Sequence, residues 1–336
     1  MSYFHYTDNE LNKGGRAELM KVFNEATVKN TYKMSDAIQD IEQLFTDMDG
    51  IHLAQRTVIP TGDGAKSMLY MPCVHTGRQL GIVKITSITP ENPQNGRPTT
   101  QGTIIVTDLE TGEHVASLDG SYLTRLRTGA LSGIATKYLS RENATILGMI
   151  GTGGMAFEQL LANIEVRDID RVILYNPTIS KAENFKSRVL EAFPNLTVEV
   201  VDDVKQLVEQ ADIINCQTQS AEPVFDADTI QLGTHINGIG SYRPDMKEID
   251  NRILPRADKV FFDDIEGVKE EAGEIIEANE KGIFKFEDVD GDLKALSLNG
   301  TLQRTNDESI TVFKCVGAAH FDLAVALGAY ERLIQQ

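Results

Sequence analysis

The stretch ATILGMIGTGGMAFEQLLANI, residues 144–164, joins an unbroken apolar run to a glycine-rich turn and then to a helix pattern. An apolar run without alternation is how a strand buried on both faces reads. Directly after it, Gly151, Gly153 and Ala156 fall in the spacing G-x-G-x-x-A. Each has a separate task in a dinucleotide-binding turn: Gly151 makes the tight bend, Gly153 lets the backbone approach a pyrophosphate, and Ala156 lets the helix pack closely on the strand. The first N–H groups of the helix, around Gly154 and Met155, would then face the phosphates. A glycine-rich turn without a ligand is the alternative, and the strand–turn–helix context weighs against it.

Downstream, the apolar runs RVILYN, LTVEVV, ADIINCQ, HINGIG and KVFFDD are interleaved with the helix patterns FEQLLANI, KAENFKSRVLEAF and VKQLVEQ. This alternation predicts an α/β fold with a doubly wound, Rossmann-type parallel sheet. A carboxylate at the end of the second strand would bond a free ribose 2'-hydroxyl and repel a 2'-phosphate. Here Asn176 stands in that place, with Thr178, Ser180 and Lys181 just beyond it. The reading leans to NADP, with NAD as the alternative.

Upstream, MSDAIQDIEQLFTDM carries apolar residues at helical spacing, with Ser35 placed to cap its start. Short strand patterns follow in RTVIP, SMLYMP and GIVKITSI, then a loop, then a hairpin around Glu110 to Gly112. From Ser121, SYLTRLRTGALSGIATKYLS reads as a helix leading into the glycine turn. Residues 310–333 read as a strand or turn followed by a long apolar-faced helix that returns to the first unit. The expected division is 1–123 plus 310–336 as an α+β unit, with 124–309 as the NAD(P)-binding unit; the roles of substrate binding and dimerisation come to the first unit from the resemblance described below.

A formal net charge of −18 over 336 residues argues against nonspecific binding to nucleic acid or an anionic membrane surface. An anionic ligand must then meet a local cluster of basic groups. The start, MSYFHYTDNELNKGG, lacks the basic and apolar regions of a leader, so a soluble, cytoplasmic protein is expected. Cys73, Cys216 and Cys315 have no paired spacing and read as buried free thiols. The acidic run from Asp263 to Asp292 reads as solvated helix and turn. Its DVDGD segment has glycine in the wrong position for a calcium loop, and no metal site is expected.

One residue resists this plain reading: in GIVKIT, residues 81–86, Lys84 places a primary amine inside a strand pattern. An unpaired buried ammonium is costly or gives up its proton. A lysine on an edge strand could instead keep its head in water.

Six motifs in order, RTVIP, GIVKITSITPENPQNGRPTTQG, LTRLRTGALSGIATKYL, GTGGMAFEQL, GSYRPDMKEID and TVFKCVG, resemble the ornithine cyclodeaminase and mu-crystallin family over nearly the whole chain. The resemblance implies a homodimer built through the first unit and the C-terminal helix, with the dinucleotide unit inserted between them. It implies a small amino or imino acid as substrate, its carboxylate gripped by Arg56, Lys84 and Arg127. It also implies cofactor contacts from Thr99, Arg127, Thr218 and Cys315, with Val316 next to the substrate. A guanidinium matches a carboxylate with parallel hydrogen bonds and an ammonium adds a point charge, so the assignment is sound chemistry. Taken alone, Arg56 and Arg127 would read as surface ion pairs, and Arg125 is assigned that role. Cys315 occupies a place where the family leads one to expect serine, and a thiol is a weak hydrogen-bond partner. His320, five residues on, reads as a structural histidine.

The sequence departs from the family's cyclodeaminase branch at two places. That branch has an acid where this chain has Tyr242, and a glutamate in the strand aligned with KSMLYMP, which contains no acid. Losing ammonia and closing a ring needs groups that move protons. Simple hydride transfer to or from a C=N bond is therefore the leading expectation, either as imine reduction or as amino-acid dehydrogenation. Lys84 would be a catalytic group that also binds, and Tyr242 either a proton donor or packing over the nicotinamide. Ornithine cyclodeamination, with Asp245 recruited, is one alternative. A nicotinamide-dependent ligand-binding protein without turnover is the other.

Overall fold

The computed structural model describes residues 19–62 and 66–336. The start of the chain, on which the expectation of no leader rests, lies outside the described residues. The chain order is β1 (Lys21–Phe23), α1 (Glu25–Thr31), α2 (Met34–Thr46), β2 (Ile51–Leu53), β3 (Thr57–Thr61), β4 (Lys66–His75), β5 (Leu80–Ile88), β6 (Thr100–Asp108), β7 (His114–Asp119) and α3 (Gly120–Leu139). Then come β8 (Ile146–Ile150), α4 (Ala156–Val166), β9 (Arg171–Tyr175), α5 (Ile179–Ala192), β10 (Thr197–Val201), α6 (Val204–Val208), β11 (Ile213–Cys216), β12 (His235–Gly238) and β13 (Lys259–Phe262). The last elements are α7 (Ile265–Glu271), α8 (Gly273–Glu280), β14 (Gly291–Asp292), α9 (Leu293–Leu298), β15 (Thr311–Lys314) and α10 (Ala319–Leu333). No helix among the described residues is long and apolar enough to cross a membrane.

Two sheets organise these elements. The first has the order β1-β7-β6-β5-β4-β2, with β3 also paired to β4. Its central strands run antiparallel, and Lys84 on β5 stands opposite Met71 on β4 and Ile104 on β6. The second sheet has the order β10-β9-β8-β11-β12-β15-β13-β14, and every pairing in it is parallel. The strand order reverses between β8 and β11, the crevice where a doubly wound sheet takes its ligand.

The expected boundaries meet the structure unevenly. Position 123/124 falls inside α3, which is buried along nearly its whole length. Strand β15, placed by the sequence reading with the first unit, instead lies between β12 and β13. Its fully buried sequence TVFK suits the middle of a parallel sheet. Helix α10 does cross back, packing on α2, α3, β4 and β5. Ser35 does not cap α2; the N-cap is Lys33, whose N–H donates to Asp36 at 2.8 Å. The acidic run is not all solvated either, since Asp263 and Glu274 are buried. Within DVDGD, Asp290 accepts from the Val260 N–H and Asp292 caps α9.

Helices α3 and α4 join the two halves. Ser132 and Thr136 on α3, Gln159 and Asn163 on α4, Asn215 on β11 and Asn237 on β12 form one buried hydrogen-bonded chain. A network of this kind, in which only the Gln159 Nε2 lacks a partner, fixes register, since sliding either helix would strand several polar groups. The helices approach closely because their facing residues are small. A Cβ at Gly129 would lie 2.5 Å from the Glu158 carbonyl oxygen. Alanine at Gly129 would gain helix propensity of about 1 kcal/mol, but overpacking a tight contact costs about 1–3 kcal/mol. Gly129→Ala should therefore lower the urea midpoint; a rise would show that the two helices part freely.

Candidate active site

At the C-terminal end of β8 the chain bends through Gly151, whose φ of +96° lies in the region open to glycine. Its N–H donates to the Tyr175 carbonyl at 2.9 Å, and its own carbonyl accepts from Gln217 Nε2 at 2.5 Å. A Cβ at Gly151 would stand 3.0 Å from Thr218 Cγ2, whereas one at Gly153 or Gly154 would meet nothing within 4 Å. Helix α4 starts after Met155 without a side-chain cap; the Ala156 N–H donates to the Gly153 carbonyl at 3.1 Å, and the uncapped end beyond it suits an anion. The buried Thr152 hydroxyl has no partner. Open space above two glycines, uncapped amides and an orphaned hydroxyl fit a dinucleotide pyrophosphate.

Asn176 ends β9 beside this turn. Its Oδ1 accepts from the Thr152 N–H at 3.3 Å and its Nδ2 donates to the Thr178 carbonyl at 3.0 Å. Thr178 and Lys181 are exposed at the start of α5. The structure thus gathers Gly151, Gly153, Gly154, Met155, Asn176 and Thr218 at the strand ends. Thr99 sits elsewhere, in the loop between β5 and β6, its carbonyl accepting from the Thr89 N–H at 2.8 Å.

The three candidate carboxylate-binding cations also come together. Lys84, 4% exposed, donates through Nζ to Asp322 Oδ2 at 2.5 Å. Arg127 Nε donates to the other oxygen of Asp322 at 3.2 Å, and its guanidinium fills the space over Gly317, so that any Cβ there would collide with it. Arg56 lies 3.0 Å from Glu271 and donates to the Gly317 carbonyl at 3.3 Å. Arg56, Lys84 and Arg127 face the carboxylates of Asp322 and Glu271. With all five ionised, one positive charge is left for an anionic ligand.

Burial pushes the Lys84 ammonium down to about 8, although Asp322 pulls the other way. Burial alone would raise the Asp322 carboxyl; the adjacent charges of Lys84 and Arg127 outweigh it and hold Asp322 below the usual carboxylate range. Burial raises Glu271, with Arg56 opposing the shift. Lys84 is therefore no snorkelling lysine. It is a buried ammonium held by a carboxylate 238 residues later in the chain.

The remaining candidates sort as follows. The Cys315 thiol donates to Asp263 at 3.1 Å, and burial pushes its pKa well up, which leaves it inert as a nucleophile. The N–H groups of Val316 and Gly317 also donate to Asp263, at 3.1 and 2.7 Å, so this carboxylate shapes the loop beneath Arg56 and Arg127. Tyr242 is half-buried against the apolar core of the second sheet. Asp245 is exposed and paired with Arg243 at 2.8 Å. Arg125 pairs with Glu25 and Glu158, as the sequence reading assigned it. His320 is buried, and burial holds its imidazole down to about 4, so it is neutral. The sequence reading missed Asp322, Glu271 and Asp263. Asp322 carried a signal, as the single acid within the apolar run GAAHFDLAVALGAY. Glu271 and Asp263 were lost in the acidic run.

A pyrroline-2-carboxylate reductase of Bacillus cereus is 39% identical over 289 residues, spanning 84% of this chain and 88% of its own. Among solved structures, the Δ1-pyrroline-2-carboxylate reductase of Thermococcus litoralis, in complex with NADH and L-proline, superposes with a TM-score of 0.89 at 31% identity, over 94% of this chain and 98% of its own. An archaeal alanine dehydrogenase dimer with bound NAD superposes at 0.84 with 31% identity, over 94% and 96%. The sequence pattern of the ornithine cyclodeaminase/mu-crystallin family matches residues 18–336. With that pattern matched from residue 18 to residue 336, the chain belongs to the ornithine cyclodeaminase/mu-crystallin family.

Proposed function

We propose that the protein is a cytoplasmic NAD(P)-dependent oxidoreductase that reduces a cyclic imino acid of the pyrroline- or piperideine-2-carboxylate type, or runs the related amino-acid dehydrogenase reaction. The observation that carries this reading is the convergence of half-buried Arg56 with buried Lys84 and Arg127, cations that outnumber their paired carboxylates, Asp322 and Glu271, by one. It lies in a connected series of strand-end loops that leads from Gly151 through Thr218 and Gly240 to Cys315 and Gly317. The relatives named above, which act on pyrroline-2-carboxylate or alanine, support the substrate class.

When bound, the nicotinamide supplies the hydride that the imine carbon accepts. The uncapped start of α4 and the Gly151–Met155 turn would hold its pyrophosphate, and Thr218 would border the nicotinamide end. Arg56 and Arg127 grip the substrate carboxylate, which orients the imine carbon toward the strand ends. Lys84 adds its charge to the same carboxylate and, with an ammonium pulled down to about 8, is poised to pass a proton to the imine nitrogen. Tyr242 is a second source for that proton. Asp322 keeps Lys84 and Arg127 in place.

A second reading, cyclodeamination of L-ornithine, gains support from Glu271, a carboxylate that enters the site although β4 and position 242 supply none. Its pairing with Arg56 favours imine reduction. A panel of imino and amino acids followed at the nicotinamide absorbance decides. The imine carboxylate should be reduced at least tenfold better with NADPH than with NADH, about 1.4 kcal/mol, because the Asn176 amide does not repel a 2'-phosphate. L-ornithine should release no ammonia. Ammonia and proline would put cyclodeamination first, and no turnover of any imine would leave a ligand-binding protein.

Lys84→Met should abolish turnover while NADPH still binds, since removing one partner of a buried charged pair costs about 2–5 kcal/mol. In the wild type, kcat/KM for imine reduction should fall as pH rises through about 8, where Lys84 loses its proton; a flat profile to pH 10 would remove Lys84 from the proton transfer.

The first sheet also exposes Val22, Leu53, Val58 and Ile59 on its edge strands. Open apolar edges invite pairing, and the similar alanine dehydrogenase is a dimer. This protein is proposed to be a homodimer through that unit, and sedimentation should give twice the chain mass at micromolar concentration.

A further inference from the structure

Behind the loops that follow β11 and β12, three charged side chains are buried together: Glu248, Glu274 and Lys314. Lys314 ends β15, and its Nζ lies 3.1 Å from Glu274 and 3.6 Å from Glu248. It donates to Ser241 Oγ at 2.5 Å, and that hydroxyl donates onward to Glu274 at 2.7 Å. Burying such a group is unfavourable compared with an apolar filling of the same volume, so packing alone does not account for it.

The hydrogen bonds to Glu248 show what the cluster holds. One oxygen accepts from the Thr218 N–H at 2.8 Å and the Thr218 hydroxyl at 3.2 Å. The other accepts from the N–H groups of Gly240 and Ser241, at 2.5 and 3.1 Å. Each oxygen thus takes one loop. The loops touch where they cross, and any Cβ at Gly240 would collide with the Thr218 backbone. Thr218 in turn borders Gly151, and Tyr242 continues the second loop. No other carboxylate among the described residues ties these two loops together.

We propose that Glu248 is the positioning residue of the nicotinamide pocket: its ionised carboxylate clamps the 217–220 and 239–242 loops in register, with Lys314 neutralising it from below. This rests on the nicotinamide reading given above. The clamp needs the ionised form, because a protonated oxygen would turn a donor toward backbone N–H groups. The groups facing Glu248 are Lys314 from β15, Glu274 from α8 and the Cys216 thiol from β11. Burial carries Glu248 up to about 7 against the pull of Lys314. Cofactor affinity should therefore weaken as pH falls through 7.

The test is a fluorescence titration of the full chain with NADH, which has no 2'-phosphate to titrate in the same range. The wild-type Kd should rise at least threefold from pH 8 to pH 6. Glu248→Gln should raise Kd at least tenfold at pH 8 and flatten its pH dependence, and Glu248→Asp should recover part of the loss. Glu274→Gln, which changes a carboxylate that meets the second loop only through the Ser241 hydroxyl and holds no backbone N–H of either loop, should lower Tm but move Kd less than twofold. A folded Glu248→Gln protein that binds NADH within threefold of wild type overturns the proposal, as does an equal loss in Glu274→Gln. Should Glu248→Gln fail to fold, a wild-type Kd that is flat between pH 6 and 8 overturns it. A wild type that binds neither NADH nor NADPH overturns the nicotinamide reading as well.

Discussion

The buried carboxylate of Asp322 is the interaction on which the site depends. Two cations from separate elements, Lys84 on β5 and Arg127 on α3, are taken out of water and share its two oxygens. Unpaired in that position, the ammonium would be costly or give up its proton, and the guanidinium would be costly to bury. The shared acid leaves the pair with a net positive charge, which suits the carboxylate of the proposed substrate. It also obliges α10 to lie against β5 and α3, so the same contact that prepares the chemistry closes the first unit.

The two halves of the site rely on one device, an acid that organises a loop through its backbone N–H groups. Asp263 gathers the amides of Val316 and Gly317 beneath the arginines. Glu248 gathers those of Thr218, Gly240 and Ser241 beside the glycine turn. Carboxylates bind several amides more strongly than neutral acceptors do, and here they do so on parallel strand ends, where loops alone would be loose. The strongly acidic composition therefore has an internal part as well as a solvated one.

How much could be read from the chain alone follows from the range of each signal. The glycine turn and the alternation of strands and helices are local patterns, and each reappears in the structure; the local pattern around Lys84 left burial and an edge-strand lysine both open, and the structure buries it. The three cations were assembled by family likeness, since Arg56, Lys84 and Arg127 have no common periodicity. What escaped was pairing at long range. An acid inside an acidic run looks like surface until something shows that Asp263 and Glu274 are covered. The placement of β15 inside the second sheet escaped for a similar reason, because a short buried strand looks the same whichever sheet receives it. The cap of α2 was misread because Lys33 carries no sequence mark of a cap, whereas Ser35 does.

The pairing of Lys84 with Asp322 also bears on how the protein is made. With 238 residues between the partners, a ribosome working at 5–20 residues per second needs on the order of 10–50 s to deliver α10 after β5. For that interval the first sheet has emerged without the helix that covers it, while the inserted unit can already form its inner strands. The nascent chain thus presents an open apolar sheet and an unpaired ammonium until translation ends. Vectorial synthesis makes the proposed active site a late part of the molecule to form, and it leaves the first sheet uncovered in the meantime.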